Sequence, residues 1–194
     1  MGKQLVPALR MTILLTILTG LVYPGIITGL CQAIFPRQAD GSLIVRHGKV
    51  VGSRLIGQNF SRPEYFWPRP SAAGNDGYDA TASSGSNLGP TNKKLIDAVQ
   101  ARVADFRKNN PEYHGEIPID MVTSSASGLD PDISPESAMA QEARVARARR
   151  ARVEQIHELI DQHTEGRDLG FLGEPRVNVL ELNLALDDQF PTRK

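Results

Sequence analysis

Residues 11–36, MTILLTILTGLVYPGIITGLCQAIFP, form the stretch around which the rest of the chain is organised. The stretch lies between Arg10 and Arg37 and contains no Asp, Glu, Lys, Arg or His. At about 1.5 Å per residue a helix of this length reaches roughly 39 Å, and the hydrocarbon core of a bilayer is about 30 Å thick. No later stretch is comparably apolar. The sequence therefore predicts one transmembrane helix over residues 11–36.

Two kinds of export signal could also produce an apolar N-terminal stretch. A cleaved signal peptide has an apolar core of about 7 to 15 residues followed by a small-x-small cleavage site, and this stretch is longer and lacks a clean site. Cys31 would suit a lipoprotein, but Leu30 stands where a lipoprotein signal requires a small residue. We interpret the stretch as an uncleaved membrane anchor.

Small residues inside the span indicate how it could pack. Gly25 and Gly29 form a G-x-x-x-G pair, which would let a partner helix approach closely. Glycine is also common in membrane helices generally, so the pair alone leaves both explanations open. Pro24 removes a backbone donor and predicts a kink near residues 20–24. Ion paths through membranes usually carry charged side chains, so this helix is not predicted to be the pore.

The flanks of the span predict its orientation. Lys3 and Arg10 favour a cytoplasmic N-terminus. Basic residues also follow the span, but a long domain is translocated largely regardless of its charge. The predicted division is a cytoplasmic N-terminus over residues 1–10, a transmembrane helix over 11–36 and an extracytoplasmic α/β domain over 37–194.

Composition argues against several classes of function. The chain has 22 basic and 22 acidic side chains, so no overall field attracts nucleic acid. The only cysteine lies in the span, so the remaining domain must rely on an apolar core instead of disulfides. The four histidines form no recognisable ligand set. Asp130 and Asp132 lack the Gly and distal Glu of a calcium loop and are better explained by a turn with an Asx cap.

The domain begins with a predicted hairpin. Residues 42–46 and 49–53 are short β-rich runs separated by His47 and Gly48. Residues 52–59, GSRLIGQN, have the glycine spacing of a phosphate loop. Gln58 and Asn59, however, stand where such a loop needs a lysine and a hydroxyl. A strand followed by a turn is the preferred interpretation.

Residues 60–90 have the composition of a loop, rich in Gly, Pro, Ser and Asn. A loop of this length in a compact domain is usually either functional or disordered. The aromatic run Tyr65, Phe66 and Trp67, with prolines beside it, favours an ordered loop that contacts something. Packing on its own domain and contact with a partner both remain open.

Residues 83–92, SSGSNLGPTN, precede a predicted helix. Such a loop could present N–H groups to an anion, or it could serve as an ordinary cap with Thr91 or Asn92 at the N-cap. The helix is predicted from apolar residues that share one face. They are Leu95, Val99, Val103 and Phe106.

The remaining chain alternates short apolar runs with helical patterns. Residues 117–123 predict a strand. Ser134 and Pro135 predict the start of a helix that runs to about His163, with a break near Arg150. Asn178 and Glu181 fit a capping box and favour a final helix, although the alternation over 177–186 also allows a strand.

The most basic stretch lies within the long helical pattern. Its five arginines could contact carboxylates on a partner or anionic headgroups. Nearby acidic residues and the absence of interleaved aromatics favour a solvated face instead. The arginines are Arg144, Arg147, Arg149, Arg150 and Arg152.

Several segments together resemble one family, the C subunits of bacterial Kdp potassium-transporting P-type ATPases. In chain order they are LTGLVYPGIITGL, GSLI, LIGQNF, YFWPRPSA, ASSGSNLGPTN, IPIDMVTSSASGLDPDISPESA, RVARAR and VNVLELNLALD. The blocks cover nearly the full length. The fold expected from the sequence is a single N-terminal transmembrane helix followed by a mixed α/β (α+β) soluble domain.

The resemblance implies an accessory, non-catalytic subunit of the bacterial inner membrane. It would work with a potassium-translocating A subunit, an ATP-hydrolysing B subunit and a small F subunit, in contact with membrane lipid. It would support assembly and act as a catalytic chaperone that raises the ATP affinity of the B subunit. The segment implied to contact the shared ATP is Ser83, Ser84, Gly85, Ser86 and Asn87.

The predicted orientation conflicts with a nucleotide contact. About 30 Å of hydrocarbon would separate an extracytoplasmic loop from cytoplasmic ATP. The alternative implied by the resemblance is a structural cap over the potassium entrance of the A subunit. The sequence contains no phosphorylation motif of a P-type pump and no intact phosphate loop, so we do not expect it to hydrolyse ATP. A membrane-tethered enzyme and a pilin-like anchor are the remaining hypotheses.

Overall fold

The computed structural model describes residues 2–192, and the chain divides between Val51 and Gly52 into two compact units. The first unit begins with helical segments at Gly2–Ile17 (α1), Leu18–Val22, Tyr23–Ile34 (α2) and Pro36–Ala39 (α3). From Lys3 to Ile34 the helix is long and apolar enough to cross a membrane, and no other helix in the described part of the chain meets that criterion. The predicted single N-terminal apolar helix is confirmed.

Between α1 and α2 the helix changes its hydrogen-bonding pattern. The segment Leu18–Val22 is a π turn, in which the Tyr23 N–H donates to the Leu18 carbonyl. Pro24 follows directly; it has no N–H, and its ring presses on the preceding turn. A wider turn relieves that crowding. The interruption predicted near residues 20–24 therefore takes the form of a π turn.

A two-stranded hairpin follows α3, as predicted. Its strands are Leu43–Arg46 (β1) and Lys49–Ser53 (β2). The two turn residues, His47 and Gly48, have φ values of 50° and 75°. Positive φ at both central positions is what a tight type I′ hairpin requires.

The second unit combines four α-helices with a small sheet. Its elements are Lys93–Asn109 (α4), Asp132–Ile133 (β3), Pro135–Arg149 (α5), Val153–Gln162 (α6), Thr164–Glu165 (β4), Arg176–Asn178 (β5) and Val179–Gln189 (α7). The strand order is β3-β5-β4 and both pairings are antiparallel. The mixed α/β domain expected from the sequence is confirmed.

The core of the second unit lies where α5, α6, α7 and β5 meet. Its buried aliphatic side chains come mainly from these four elements, and one aromatic ring comes from the long loop. That ring belongs to Phe66, which is fully buried. A smaller cluster joins α4 to α5 through Phe106, Met121 and Ala140.

The helix ends confirm the predicted N-cap residues, although the Glu181 carboxylate contacts Arg54. Asn92 accepts a hydrogen bond from the Lys94 N–H at the start of α4. Ser134 accepts one from the Ser137 N–H at the start of α5, and Arg150 ends that helix in the left-handed conformation, with φ of 56°. Asn178 accepts from the Glu181 N–H. The last segment is thus a short strand up to Asn178 and a helix from Val179 onward.

The predicted strand at residues 117–123 is wrong. The chain forms a 3-10 turn there, at Ile119–Met121. Pro118 cannot donate to a ladder, and the Asp120 carboxylate instead accepts hydrogen bonds from Ser134 and Ser137 at the start of α5. The short strand β3 was not predicted. It follows an Asx turn in which Asp130 accepts from the Asp132 N–H, as the sequence favours.

Candidate functional site

The aromatic run in the long loop is ordered and makes contacts, as the sequence predicts. Residues 54–92 form neither a helix nor a strand. Residues 62–67, here called the aromatic segment, nevertheless pack on their own domain. Phe66 enters the core, and Tyr65 and Trp67 are half-buried beside it. Of the two alternatives left open for Tyr65, Phe66 and Trp67, packing within the domain is confirmed.

Every backbone carbonyl of the aromatic segment accepts a hydrogen bond from a side chain. The donors come from α5, from α7 and from the segment's own indole. The pairs are Arg62 with Trp67 Nε1 at 2.9 Å, Pro63 and Tyr65 with Arg144 at 2.5 and 2.9 Å, Glu64 with Arg149 at 2.8 Å, Phe66 with Asn183 at 2.9 Å, and Trp67 with Gln141 at 3.2 Å. Side chains thus satisfy the backbone groups that a neighbouring strand would satisfy in a sheet.

Two buried amides act as substitutes for a paired strand. The Asn183 carbonyl accepts from the Phe66 N–H at 2.8 Å while its NH2 group donates back to the Phe66 carbonyl. Gln141 does the same with Trp67, accepting from its N–H at 2.8 Å. An amide side chain offers one acceptor and two donors, so each can pair with both backbone groups of one residue. The backbone register of the segment is fixed by these two residues.

Arg144 is the centre of the hydrogen-bond network. It is 2% exposed, and besides the two loop carbonyls it donates to Asn110 at 2.9 Å and to Gln141 at 2.7 Å. Its guanidinium carbon lies 4.1 Å from the centroid of the Trp67 ring. Burial, with a smaller effect of Arg147, lowers the pKa of Arg144 to about 10, so the group stays charged at neutral pH. None of these partners is a carboxylate, so neutral dipoles and an aromatic face stabilise the charge.

Arg149 holds the other side of the aromatic segment. Besides Glu64, it donates to the Phe190 carbonyl at 3.0 Å and forms an ion pair of 2.8 Å with Asp187. Its guanidinium carbon lies 4.7 Å from the Tyr65 ring centroid. Arg149 therefore joins the end of α5 to the end of α7 and to the loop at once.

The prediction of a solvated arginine face is wrong for Arg144 and Arg149, which are buried. It is confirmed for Arg147, Arg150 and Arg152, which are exposed. The misleading feature was local charge density, because acidic neighbours lie near all five arginines in sequence. A usable signal was the loop itself: an aromatic, proline-containing run with no strand partner must find donors for its carbonyls, and arginine supplies up to five.

A groove lies between the long loop and α4, beside the aromatic segment. Its volume is about 730 Å³, and its wall includes Trp67, Arg102 and Asp105. Arg102 donates to the Val122 carbonyl at 3.0 Å, and burial lowers its pKa. Tyr78 donates to the Arg69 carbonyl at 2.6 Å; burial, followed by the charge of Asp130, raises the Tyr78 pKa. The groove offers apolar contact with a few charged groups, a surface suited to binding.

The serine-rich segment from Ser83 to Asn87 packs against a second serine-rich loop. Both the Ser84 N–H and the Ser83 hydroxyl donate to the Ser127 carbonyl, at 2.9 and 3.0 Å. A Cβ on Gly85 would lie 2.9 Å from the Ala126 carbonyl oxygen, so this close approach requires glycine. Ser86 and Asn87 are exposed, and Asn87 has φ of 51°. The nucleotide contact of Ser83, Ser84, Gly85, Ser86 and Asn87 stays a prediction.

The two glycines of the N-terminal apolar helix leave a free surface in the isolated chain. A Cβ built on Gly25 or Gly29 meets nothing within 4 Å. The groove that the pair forms is therefore accessible to another helix, and the packing role of Gly25 and Gly29 also stays a prediction. Over residues 2–192, no group of three or more His, Cys, Asp and Glu side chains is placed to hold a metal ion.

Comparison with known proteins gives consistent matches over nearly the whole chain. The family described as "K+-transporting ATPase, c chain" matches residues 5–188. A potassium-transporting ATPase KdpC subunit from Methylococcus capsulatus is 55% identical over 181 residues, 93% of this chain and 95% of the relative. The protein of that name from Gemmatimonas aurantiaca is 58% identical over 187 residues, 96% and 94% of the two chains. The one from Mycobacterium tuberculosis is 56% identical over 188 residues, 96% of this chain and 99% of the relative.

Proposed function

The chain belongs to the family of the K+-transporting ATPase c chain, and from this premise we propose that it is an accessory subunit of a potassium-transporting ATPase complex. Its partners are the other subunits of that complex: the potassium-translocating A, the ATP-hydrolysing B and the small F subunit. The apolar helix that runs to Ile34 anchors it in the cell membrane. Lys3 and Arg10 support a cytoplasmic N-terminus, which would place the second unit outside the cytoplasm.

The observation that best supports a binding role is the way in which side chains hold the backbone of the aromatic segment. Arg144, Arg149, Gln141 and Asn183 use their polar groups to hold the chain's own backbone. These side chains hold an irregular loop in place, and Pro63 and Trp67 of that loop line the adjacent groove. A rigid, pre-shaped surface loses little conformational entropy when a partner binds. We assign the second unit to assembly and bracing of the complex, without a catalytic role of its own.

Two finer roles are compatible with this assignment. As an extracytoplasmic cap, the domain would rest over the potassium entrance of the A subunit; the roughly 30 Å of hydrocarbon between it and cytoplasmic ATP supports this role. As a catalytic chaperone, it would raise the ATP affinity of the B subunit. The exposure of Ser86 and Asn87 supports access to a nucleotide in that role.

Deletion and complementation test the proposal. We expect the tagged full-length chain to co-purify with the A and B subunits, and we expect its deletion to abolish potassium-stimulated ATP hydrolysis. Complementation with the full chain should restore activity. A fully active A–B complex recovered without this chain would refute the proposal.

Topology and nucleotide affinity separate the two finer roles. A single cysteine at position 60 or position 2, in a Cys31→Ser background, can be probed with a membrane-impermeant thiol reagent in intact spheroplasts. Labelling at position 60 alone supports the cap. A rise in the KM for ATP in the Asn87→Ala complex, absent in a Ser61→Ala control, supports the chaperone role.

A further inference from the structure

The connection between β4 and β5 is the most exposed ordered loop of the second unit. Residues 166–175, here called the tip loop, are all exposed. The loop is nevertheless structured, because Asp168 and Leu172 form an antiparallel bridge in which each N–H donates to the other's carbonyl, at 2.8 and 2.9 Å. The tip loop is thus a small hairpin built on the end of the sheet.

The tip loop presents large apolar side chains to solvent. Leu169, Phe171 and Leu172 are 83%, 69% and 50% exposed. Single exposed apolar residues are ordinary on protein surfaces, but three within four positions at the end of a projecting loop form a contiguous patch. Aromatic rings are enriched at the centre of protein interfaces, which makes Phe171 the main candidate for an anchor in this patch.

The backbone holds these side chains outward at a conformational cost. Leu169 has φ of 53°, in the left-handed region that non-glycine residues other than Asn and Asp rarely occupy. Gly170 follows with φ of 82° and donates to the Arg167 carbonyl at 3.1 Å. Strain of this kind clusters at binding sites, because it fixes in advance the geometry a partner needs.

Charges at the base of the loop distinguish between a protein and a lipid as the contact. Arg167 pairs with Glu174 at 2.6 Å, and Arg176 lies 3.9 Å from Asp168. Both arginines at the loop therefore face acidic partners. Anionic headgroups attract unpaired basic residues, and neither Arg167 nor Arg176 is unpaired. A polar rim of paired charges around an apolar centre is the arrangement found at protein interfaces.

We propose that the tip loop is a docking element that inserts Leu169, Phe171 and Leu172 into an uncharged apolar pocket on another protein subunit of the ATPase complex. This inference rests on the proposed function, which supplies the protein partner. The ring of Phe171 is the central anchor, and the two leucines flank it. The bridge between Asp168 and Leu172 keeps the three side chains in one orientation.

Photocrosslinking within the assembled complex tests the contact. In a Cys31→Ser chain, Phe171→Cys is coupled to a benzophenone maleimide and irradiated. The matched control is Ile119→Cys, because Ile119 is 75% exposed in the same unit but lies outside the tip loop. We expect position 171 to give a covalent adduct with a partner polypeptide in several-fold higher yield than position 119. Adducts with lipid only, or equal yields at the two positions, would overturn the inference.

Association measurements give a second test. We expect Phe171→Ser and Leu169→Ser to lower the retention of partner subunits on the tagged chain by about tenfold under dilute conditions, the effect of losing an interface anchor. Ile119→Ser should retain them at the wild-type level. All three side chains are exposed, so the thermal unfolding midpoint should not move. If wild type co-purifies and the tip-loop variants do so equally, this inference fails and the proposed function stands; if wild type itself does not co-purify, the proposed function fails.

Discussion

The aromatic segment and the tip loop are both irregular stretches, but their side chains lie in different environments. Each contains a phenylalanine and carries both signs of charge. In residues 62–67 the ring of Phe66 is fully buried, whereas in residues 166–175 the ring of Phe171 is 69% exposed. The comparison shows that a phenylalanine in an irregular loop can either complete the core or remain exposed.

What lies opposite each loop accounts for the difference. The aromatic segment faces α5 and α7, whose arginine and amide side chains satisfy its carbonyls. The tip loop extends beyond the last paired residues of β4 and β5, where Glu165 lies opposite Arg176, and it satisfies its backbone through its own bridge. A loop with external donors can be drawn into the core; a loop that supplies its own hydrogen bonds can project from it.

The two phenylalanines provide the strongest test of this comparison. We expect Phe66→Ala to lower the free energy of unfolding by about 4 kcal/mol, because it removes a fully buried ring and leaves a cavity. We expect Phe171→Ala to change it by less than about 0.5 kcal/mol, because the exposed ring has little to lose. Urea unfolding of the detergent-solubilised chain measures both. The single tryptophan, Trp67, reports the transition from within the aromatic segment.

A large loss of stability in Phe171→Ala would break the comparison, because it would mean that the tip loop packs on its own chain. A small loss of stability in Phe66→Ala would also break the comparison, because it would mean that the Phe66 ring contributes little to the core. Phe66→Leu serves as the conservative control and should cost less than Phe66→Ala, since most of the buried volume is kept.

The arginines of α5 provide the next test. We expect Arg144→Met to destabilise the second unit by about 3 kcal/mol, since it leaves two loop carbonyls and the Asn110 side-chain carbonyl without this donor in a buried place. Arg147 makes only a surface ion pair with Glu112, so Arg147→Met should cost about 1 kcal/mol or less. The same urea unfolding experiment compares the two.

Arg144→Lys separates charge from geometry. It keeps the positive charge but lacks the planar fork, whose Nη1 donates to the loop carbonyls while Nε and Nη2 donate to Asn110 and Gln141. We expect it to recover only part of the lost stability. Full recovery would show that the charge over the Trp67 ring, and not the hydrogen bonds, secures the segment.

Local patterns in the sequence identify most of the fold. The length of the apolar stretch before Pro36 predicts the membrane helix, and the His47-Gly48 turn predicts the hairpin. The caps at Asn92, Ser134 and Asn178 predict where three helices begin. These features depend on neighbouring residues, and neighbours in sequence are visible without a structure.

Contacts between distant residues explain what the sequence did not reveal. Burial of Arg144 depends on carbonyls about eighty positions earlier in the chain, and charge density nearby points the other way. Residues 117–123 alternate like a strand, but Asp120 is drawn to the start of α5 by Ser134 and Ser137. No local pattern indicates that Leu169 and Phe171 of the tip loop are exposed. Their exposure depends on whether another part of the chain folds over them, and in the structure none does.

Two aspartates test the smallest difference between the two regions, which is the direction in which the pKa of a carboxylate is shifted. Asp132 belongs to the sheet that carries the tip loop, and Asp79 belongs to the long loop that carries the aromatic segment. Asp132 lies opposite Asn178 in the pairing of β3 with β5, and burial is the main cause that raises its pKa. Hydrogen bonds from Thr81, its side chain first and its backbone N–H second, lower the pKa of Asp79 in the long loop. The two carboxylates should therefore shift stability in opposite directions with pH.

A raised pKa means that the folded protein binds the Asp132 proton more tightly than the unfolded chain does. The stability that Asp132 contributes is then present below its unfolded pKa, about 3.9, and is lost as the pH rises through the folded value. Asp79 behaves in reverse: its contribution is present above about pH 3.9 and is lost as the pH falls through its lowered folded pKa. Between about pH 3 and pH 6, the unfolding free energy of wild type should therefore fall relative to that of Asp132→Asn as the pH rises. Over the same range it should rise relative to that of Asp79→Asn. Parallel profiles for the two variants would contradict the burial of Asp132 in the strand beside β5, because that burial is the main cause that raises its pKa.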